Sequence, residues 1–315
     1  MLVEECWKDI EEKFLKLGIK REDLYVKRIS KNKPVYCLFC KDEKFVVKFF
    51  SSPEASLREY RNLKFLYEEM DFSKGDYRVP RPYFYSSELN CCCVVEEFVE
   101  GKDIDHYLGK ALTNEAKYYG KLLKKLALVA GWLSHLHKSS YKGIPSDIGF
   151  QFAYYEKLLT SLSNWEEFNN FRFSIEVLLE KWKTKIGLHD FCYSTIIHGD
   201  VTPTNFIIKG NMVYGIDLER MKRQNPLWDV GFMASEIKHY YMWKGKSSFD
   251  AEPVVSYFFN IYSALFNKVG FNKLSDYLPF FMAMGYLRIA RNPWLSDEHR
   301  VKLVEEAVSC LKYGL

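Results

Sequence analysis

The feature that most constrains the fold of this 315-residue chain is a pair of short apolar runs, 206–209 and 212–216, joined by Gly210-Asn211. A Gly-Asn dipeptide between two such runs is typical of a tight β-hairpin. If the last residue of the first run faces the first residue of the second, the register brings the flanking residues together. Asn205 and Asp217 are then expected to be near neighbours at the open end of the hairpin.

Asp200 adds a second carboxylate to this pair, because it lies on a proline-containing loop shortly before Asn205. Magnesium prefers oxygen ligands and usually takes one or two protein carboxylates together with substrate phosphates. The pattern therefore predicts Mg²⁺-nucleotide binding by Asn205 and Asp217, with Asp200 left to orient and deprotonate an attacking hydroxyl. Taken singly, each residue is more typical of a turn cap or a strand end, and it is their combination that favours phosphoryl transfer.

Lys48 is a lone charge in the apolar strand 45–50. Such a lysine is either solvated at a sheet margin or directed at an anion. Glu59, on the helix expected to follow, is placed to hold the ammonium group. Glu54 is the less favoured partner, because in the first helical turn it serves the helix dipole. A lysine held by a glutamate and directed at phosphates is a working part of kinase-type phosphoryl transfer.

The order of secondary structure predicts two lobes. Strands are expected through the first third of the chain, with one main helix over 53–70 that starts at a serine cap followed by proline. From Thr113 onward helical patterns dominate, interrupted by the hairpin. We therefore expect an α+β fold with a small antiparallel sheet lobe over residues 1–97 and a larger, mostly helical lobe over residues 98–315.

Composition narrows the classes of partner. The formal net charge of +4 is too small to indicate nucleic acid or an anionic membrane as the main partner. The N-terminus is acidic and lacks the apolar segment of a secretory signal, and the longest apolar stretch, 126–133, is too short to cross a bilayer. A cytoplasmic protein is expected, and the sequence does not set its oligomeric state.

The eight cysteines do not have the density of a disulfide scaffold in a chain of this length. Cys91, Cys92 and Cys93 are consecutive in a strand-like run, where neighbouring side chains point to opposite faces. Cys37 and Cys40 have the spacing of a zinc knuckle but no matching second pair of ligands. Buried, reduced thiols are the favoured interpretation.

Several segments together resemble the aminoglycoside phosphotransferase and choline kinase family, a branch of the protein-kinase-like fold, over roughly residues 25–295. The matching segments are 46–48, Arg58-Glu59, 94–101, 133–137, His198-Gly199-Asp200 to Asn205, 216–219 and 226–229. The resemblance implies ATP and Mg²⁺ as cofactors. It also implies that Lys48 touches the nucleotide phosphates, that Glu59 positions Lys48, and that the backbone of Glu97 and Val99 binds adenine.

By the same resemblance Asp200 is the catalytic base, and Asn205 and Asp217 hold magnesium. Asp229 is then a structural acid that braces the catalytic loop, and His198 a structural support and no proton carrier.

One segment departs from the family pattern. Where the family carries a glycine-bearing loop over the phosphates, this chain has Ser30-Lys31-Asn32-Lys33-Pro34, which contains no glycine. Ser30, Asn32 or either lysine is left to replace backbone amides as donors to the phosphates.

The acceptor is expected to be a hydroxyl of a small molecule. Gly199 stands where regulated protein kinases typically carry arginine, and no Ala-Pro-Glu segment follows Asp217. The alternatives are an atypical protein kinase and a non-catalytic nucleotide-binding module, the latter prompted by the missing glycines.

Two segments bear on the acceptor without deciding its identity. Tyr240, Tyr241 and Trp243 have the composition of a cage for a quaternary ammonium group, although packing is their favoured role. The basic segment 220–223 offers Arg220, Lys222 and Arg223 to an anionic acceptor, with a solvated loop as the default interpretation.

Overall fold

The computed structural model describes residues 2–16, 24–30, 33–41, 43–88, 91–113, 116–187, 193–266 and 274–315. These form two compact units. The first unit contains residues 1–101 and 207–220, and the second contains residues 102–206 and 221–315. The first unit thus takes in the segment 207–220, which the sequence-based division at residue 97 places in the C-terminal lobe.

The first unit is built on an antiparallel sheet of five strands: β1 (Leu24–Arg28), β2 (Val35–Cys40), β3 (Glu43–Phe49), β5 (Pro82–Glu88) and β6 (Cys91–Glu97). The strands lie in the order β1-β2-β3-β6-β5. In β3 and β6, side chains alternate between the two faces of the sheet, so a side chain contacts its cross-strand and diagonal neighbours on the same face.

One helix, α2 (Pro53–Glu68), packs against strands β5 and β6 of this sheet. Ser52 caps it by accepting a hydrogen bond from the Ala55 amide at 3.3 Å, and proline occupies the first turn, as predicted. The helical period places Glu59 on the same buried face as Leu63 and Leu66. The apolar pattern of the helix therefore carries one carboxylate into the core.

A further helix, α1 (Leu2–Lys16), covers part of the sheet and buries Cys6, Ile10 and Phe14. Cys6 forms a disulfide with Cys91 of β6, with 4.8 Å between their Cα atoms. The expectation of reduced thiols is wrong for these two cysteines, because their pairing depends on how α1 packs, which spacing in the sequence does not give. Of the remaining cysteines that the structure describes, Cys37, Cys92 and Cys93 are buried free thiols, and Cys40 is buried too.

The predicted hairpin is confirmed as β9 (Phe206–Lys209) and β10 (Met212–Gly215), joined by a turn in which Gly210 has a φ of +63°. Strand β4 (Tyr77–Arg78) pairs with β10 in parallel. The hairpin is thus extended by a third strand, β4, which belongs to the first unit.

The second unit is mostly helical. Its helices are α3 (Ile104–Leu112), α4 (Ala116–Ser139), α5 (Ile148–Leu162), α6 (Asn169–Gly187), α7 (Leu227–Trp243), α8 (Glu252–Phe266), α9 (Leu274–Ala290) and α10 (Asp297–Tyr313). A short strand β7 (Lys102–Asp103) precedes α3, and β8 (Thr195–Ile197) pairs with β11 (Lys222–Gln224) beside the loop that carries Asp200.

Helices α7 and α9 lie in close contact because glycines face their crossing point. A Cβ atom on Gly231 would lie 2.5 Å from Cβ of Phe281, and one on Gly285 would lie 2.0 Å from Oγ of Ser235. Since real Cβ atoms do not approach so closely, larger residues at these two positions would force the helices apart. The packing fixes the relative position of side chains that project from α7 and α9 nearby.

The predicted fold class is confirmed: an antiparallel sheet lies in the N-terminal region and the C-terminal part is helical. Among the described residues, no helix combines the length and the hydropathy needed to cross a membrane.

Candidate active site

In the first unit, Lys48 of β3 binds two buried carboxylates. Its Nζ lies 2.9 Å from Oε1 of Glu59 and 2.9 Å from Oε1 of Glu96. The Lys48–Glu59 pair predicted from the sequence is therefore present. Glu96 lies diagonally across the sheet from Lys48, because Val46 pairs with Glu96 and Lys48 with Val94.

Burial and charge together set the protonation of this cluster. Burial alone would lower the pKa of Lys48, but the charges of Glu59, Glu96 and Asp217 outweigh it, so the pKa of Lys48 is raised. Burial raises the pKa of Glu59 to about 7 against the opposing effect of Lys48, and burial likewise raises the pKa of Glu96. Lys48 therefore stays a cation within a set of groups that carries more carboxylates than ammonium groups.

Asp217 follows the hairpin and belongs to the same unit as Lys48. Its φ of +63° is uncommon for a residue other than glycine, and backbone strain of this kind gathers at functional sites. Its Oδ2 accepts a hydrogen bond from Nζ of Lys33 at 2.8 Å. Lys33 is the last lysine of the glycine-free segment 30–34, of which residues 31–32 lie outside the described residues.

The carboxylates of the first unit fit a divalent cation in their chemistry. Oε2 of Glu59 and Oε2 of Glu96 are buried and have no hydrogen-bond partner among the described residues. Asp217 of the same unit supplies a further carboxylate near Lys48. Oxygen ligands of this kind are what magnesium favours.

The two residues expected to meet adenine lie at the end of β6 and just beyond it. The amide of Glu97 donates to the carbonyl oxygen of Arg81 at 2.9 Å, which leaves the carbonyl group of Glu97 rather than its amide for a purine base. Val99 is buried. Adenine binding by these residues stays a prediction.

In the second unit, the loop His198-Gly199-Asp200 is held by Asp229 of α7. Oδ2 of Asp229 accepts from the amide of His198 at 2.7 Å, and its Oδ1 accepts from the amide of Gly199 at 2.9 Å. Gly199 has a φ of +80°, a conformation that glycine adopts without strain. One buried carboxylate thus fixes the backbone that presents Asp200.

Asp229 and His198 are both fully buried. Asp229 also lies 3.1 Å from Nε2 of His137, whose Nδ1 is 2.9 Å from the hydroxyl of Tyr262. The ring of His198 packs against the rings of Trp132 and Phe206, which also contact each other. These contacts agree with supporting roles for Asp229 and His198, although the roles themselves stay predictions.

Asp200 and Asn205 are brought together as the sequence suggests. The Asn205 side-chain amide nitrogen donates to the backbone carbonyl oxygen of Asp200 at 2.8 Å. The carboxylate of Asp200 accepts a hydrogen bond from Nη2 of Arg288, a residue of α9. Nη1 of Arg288 lies 3.1 Å from Oε1 of Glu236, a residue of α7.

A cavity of about 370 Å³ lies in the second unit, and Glu236 is part of its wall. Its lining combines two acidic residues, three aromatic residues, a histidine, a lysine and the loop between Asp200 and Asn205: Asp105, Glu236, Tyr240, Trp243, Trp294, His239, Lys244 and Thr202 to Thr204. The rings of Trp243 and Trp294 lie 5.8 Å apart and nearly perpendicular. The carboxylates and aromatic faces attract cations, and Lys244 adds one positive charge to the same wall.

The structure separates the aromatic residues that the sequence grouped together. Tyr240 and Trp243 line the cavity, whereas Tyr241 is buried in the core. Trp294 completes the aromatic wall, and no sequence pattern joined it to the other two.

The default interpretation of the basic segment as a solvated loop is wrong for two of its residues. Nη1 of Arg223 donates to the carbonyl oxygens of Ser140 and Ser194 at 3.1 and 3.0 Å. Lys222 stands over the ring of Trp228 at 4.3 Å. Both side chains therefore have structural partners within the second unit.

Three charged residues of the site were not predicted from the sequence, although each lies in or beside a largely apolar element. Glu96 is the first carboxylate after the apolar run 91–95, and Arg288 is a lone cation near the end of the apolar helix α9. Glu236 lies in the long apolar helix α7. A single charge in an apolar element must find a partner or remain solvated. A charged residue in such an element therefore indicates that a partner exists, but the sequence does not identify that partner.

These features define a class of protein, the kinase-type phosphotransferases. Residues 33–259 match the model of the family described as phosphotransferase enzyme family, also called APH. Because the match covers more than half of the chain, the protein belongs to this family. No curated protein matches the chain in sequence.

Solved structures share the fold at low sequence identity. A choline kinase, LicA, from Streptococcus pneumoniae is 15% identical with a TM-score of 0.63, over 97% of this chain and 98% of that one. A putative aminoglycoside phosphotransferase from Ralstonia eutropha is 15% identical with a TM-score of 0.64, over 98% and 96%. An aminoglycoside phosphotransferase in a ternary complex with streptomycin and ATP is 15% identical with a TM-score of 0.56, over 96% and 95%. At this level of identity the likeness concerns the fold.

Proposed function

We propose that this protein transfers the γ-phosphoryl group of Mg²⁺-ATP to a hydroxyl group of a small molecule. The observation that carries the proposal is the buried Lys48 held by Glu59 and Glu96 in the same unit as Asp217. A lysine fixed in this way and directed at phosphates is a recurring part of phosphoryl-transfer enzymes. Family membership and the ATP complex of a protein with the same fold support ATP as the donor.

In this proposal Lys48 binds the nucleotide phosphates and Glu59 keeps it in position. The backbone of Glu97 and Val99 binds adenine. Lys33 replaces the backbone amides of the missing glycines, because its ammonium group already lies at Asp217. Contact with the phosphates thus comes from two lysine side chains.

Asn205 and Asp217 hold the magnesium ion, which when bound neutralises charge on the transferred phosphoryl group. The contact between the Asn205 side-chain nitrogen and the Asp200 carbonyl oxygen fixes the orientation of the carboxamide. Its oxygen is thereby left to act as a ligand.

Asp200 accepts the proton of the attacking hydroxyl group, and the loop that presents it is held by Asp229. The cavity lined by Glu236, Trp243 and Trp294 receives the acceptor. Its carboxylates and aromatic rings favour an alcohol that carries an amine or quaternary ammonium group, the kind of compound that the structurally similar choline kinase is named for.

The proposal is tested by measuring ATP consumption with a panel of alcohols that differ in charge. Amine-bearing and quaternary ammonium alcohols are expected to stimulate turnover, whereas neutral and anionic alcohols of equal size are not. A control is Asp276→Asn, which changes an exposed aspartate of the same unit and is expected to keep parental rates. Phosphorylation of proteins but of no alcohol would contradict the proposal, and so would Mg²⁺-ATP binding without turnover.

A further inference from the structure

Arg288 connects two carboxylates that belong to different elements of the second unit. One end of its guanidinium group binds the carboxylate of Asp200, and the other lies 3.1 Å from Oε1 of Glu236. The side chain is 12% exposed, and its guanidinium carbon stands 5.1 Å over the ring of Phe232. Arg288 is thus held by contacts on both of its hydrogen-bonding edges and on one of its faces.

The shape of the guanidinium group suits this bridge. It is planar, stays charged and presents N–H groups in fixed directions, so it binds two carboxylates at a set angle. A lysine carries the same charge on a flexible stem and would not fix that angle. The arrangement therefore depends on arginine itself, and charge alone does not provide it.

Arg288 also affects the charges of the two carboxyl groups that it binds. Burial raises the pKa of Glu236 to about 7, Arg288 opposes this, and the charge of Asp200 adds to it. Asp200 and Glu236 therefore repel one another, and the positive charge of Arg288, which binds both, offsets that repulsion. Other titratable groups that act on the cluster are Asp105 of α3, which affects Glu236, and Tyr154 of α5, which affects Arg288, while His239 of α7 lines the same cavity as Glu236.

The packing of α7 against α9 sets the separation of these groups. Ser235 and Gly285 meet at the helix crossing, next to Glu236 on one helix and three residues before Arg288 on the other. Glu236 lies in the wall of the cavity, and Thr202, two residues after Asp200, lies in that wall too. Arg288 is therefore a physical connection between Asp200 and the cavity.

We propose that Arg288 is a positioning residue that holds the Asp200 carboxylate in its working orientation and fixes it relative to Glu236 on the cavity wall. This inference rests on the proposed function. An acceptor whose positive group lies against Glu236 would then present its hydroxyl group to Asp200. Arg288 touches neither acceptor nor nucleotide and acts only through the two carboxylates.

The test compares Arg288→Met and Arg288→Lys with a matched control, Arg300→Met. Arg300 is as buried as Arg288, at 11% exposed, and forms an ion pair with Asp297 at 3.0 Å, distant in sequence from the catalytic loop. The readout is ATP hydrolysis with water as the acceptor, in Mg²⁺-ATP alone, so that no acceptor needs to be known. Thermal unfolding is recorded for each variant.

Arg288→Met is expected to lower kcat by about 10²-fold, the scale of a small misplacement of a catalytic group, with KM for Mg²⁺-ATP within about twofold. The kcat/KM–pH profile of Arg288→Met should differ from that of the parent, because the guanidinium charge beside the catalytic carboxylate is removed. Guanidinium ion in the buffer should restore part of the rate. Arg288→Lys should remain slow, and Arg300→Met should keep the parental kcat and pH profile.

Three results would overturn the inference. The first is a parental rate and pH profile in Arg288→Met. The second is a loss of kcat in Arg288→Met that matches the loss of folded protein, is as large in Arg300→Met, and is not restored by guanidinium ion. The third is full activity in Arg288→Lys. Failure of the proposed function is distinguishable, because the parent protein would then consume no ATP and the inference would fall with it.

Discussion

Lys48 illustrates at the scale of single residues why a buried charge indicates function. An ammonium group that is 12% exposed is costly to bury, and two carboxylates that are 1% and 3% exposed offset the cost. A cluster built only for stability would be replaced by apolar residues without loss. Retention of a lysine and two carboxyl groups in this buried position is better explained by a need for charge at this point.

Replacement of Lys48 by methionine should therefore have two separable effects. Glu59 and Glu96 lose their partner, so the free energy of unfolding should fall by about 3 kcal/mol or more. ATP affinity should fall as well. The triple variant Lys48→Met, Glu59→Gln, Glu96→Gln should regain much of the stability but none of the ATP affinity, as measured by urea unfolding and by calorimetric titration. Recovery of ATP binding in the triple variant would contradict the role given to Lys48.

The glycine-free segment before β2 is the clearest departure of a whole element from the family pattern. Ser30, Asn32 and both lysines were equal candidates for contact with the phosphates in the sequence analysis. Lys33 is the lysine of this segment that the structure describes, and its Nζ lies 2.8 Å from Oδ2 of Asp217. Lys33 therefore contacts a carboxylate that we propose as a magnesium ligand.

Lys33→Met is expected to weaken ATP binding by about tenfold, the scale of one charge-assisted contact, and to leave adenosine binding unchanged because adenosine carries no phosphates. Lys33→Arg should keep most of the ATP affinity. Lys27→Met removes an exposed lysine of β1 and serves as the control. Equal weakening of ATP and adenosine in Lys33→Met, measured by calorimetry, would show that the lysine acts on the fold of the segment and not on phosphates.

The sequence could predict features that depend on neighbouring residues, but not contacts that depend on long-range packing. The Gly-Asn turn and the serine cap of α2 act within a few residues, so the hairpin and the helix were placed correctly. The Lys48–Glu59 pair followed from one strand and the next helix. Arg288 lies 88 residues from Asp200, and the pairing of Cys6 with Cys91 spans 85 residues. Such contacts depend on how helices pack, which periodicity does not specify.

Over the whole molecule, the buried acids and histidines make stability depend on pH in opposite directions. The pKa of Glu236 is raised from 4.5 to about 7, chiefly by burial. The folded state therefore binds more protons than the unfolded state between these values, and this stabilising contribution is lost as pH rises through about 7. Glu236→Gln should become more stable relative to the parent by about 2 kcal/mol between pH 5 and pH 8, as measured by urea unfolding. A difference between the two proteins that does not change with pH would contradict the shift.

His239 provides the opposite sign in the same molecule. Burial and the neighbouring His299 lower its pKa from 6.5 to about 4. Its contribution to stability is therefore present above pH 6.5 and is lost as pH falls towards 4. His239→Gln should lose less stability than the parent on acidification over this range. A parallel loss in both proteins would contradict the assignment.

The central claim, that this chain is a Mg²⁺-ATP phosphotransferase with Asp200 as base and Asp217 as metal ligand, is tested most directly by two substitutions studied side by side. Calorimetric titration with ATP, with and without Mg²⁺, is combined with turnover on the same samples. We predict that Asp200→Ala binds Mg²⁺-ATP nearly as the parent does but turns over about 10² to 10⁴ times more slowly, whereas Asp217→Ala loses the magnesium-dependent part of binding. Parental turnover in Asp200→Ala, or unchanged magnesium dependence in Asp217→Ala, would contradict the account.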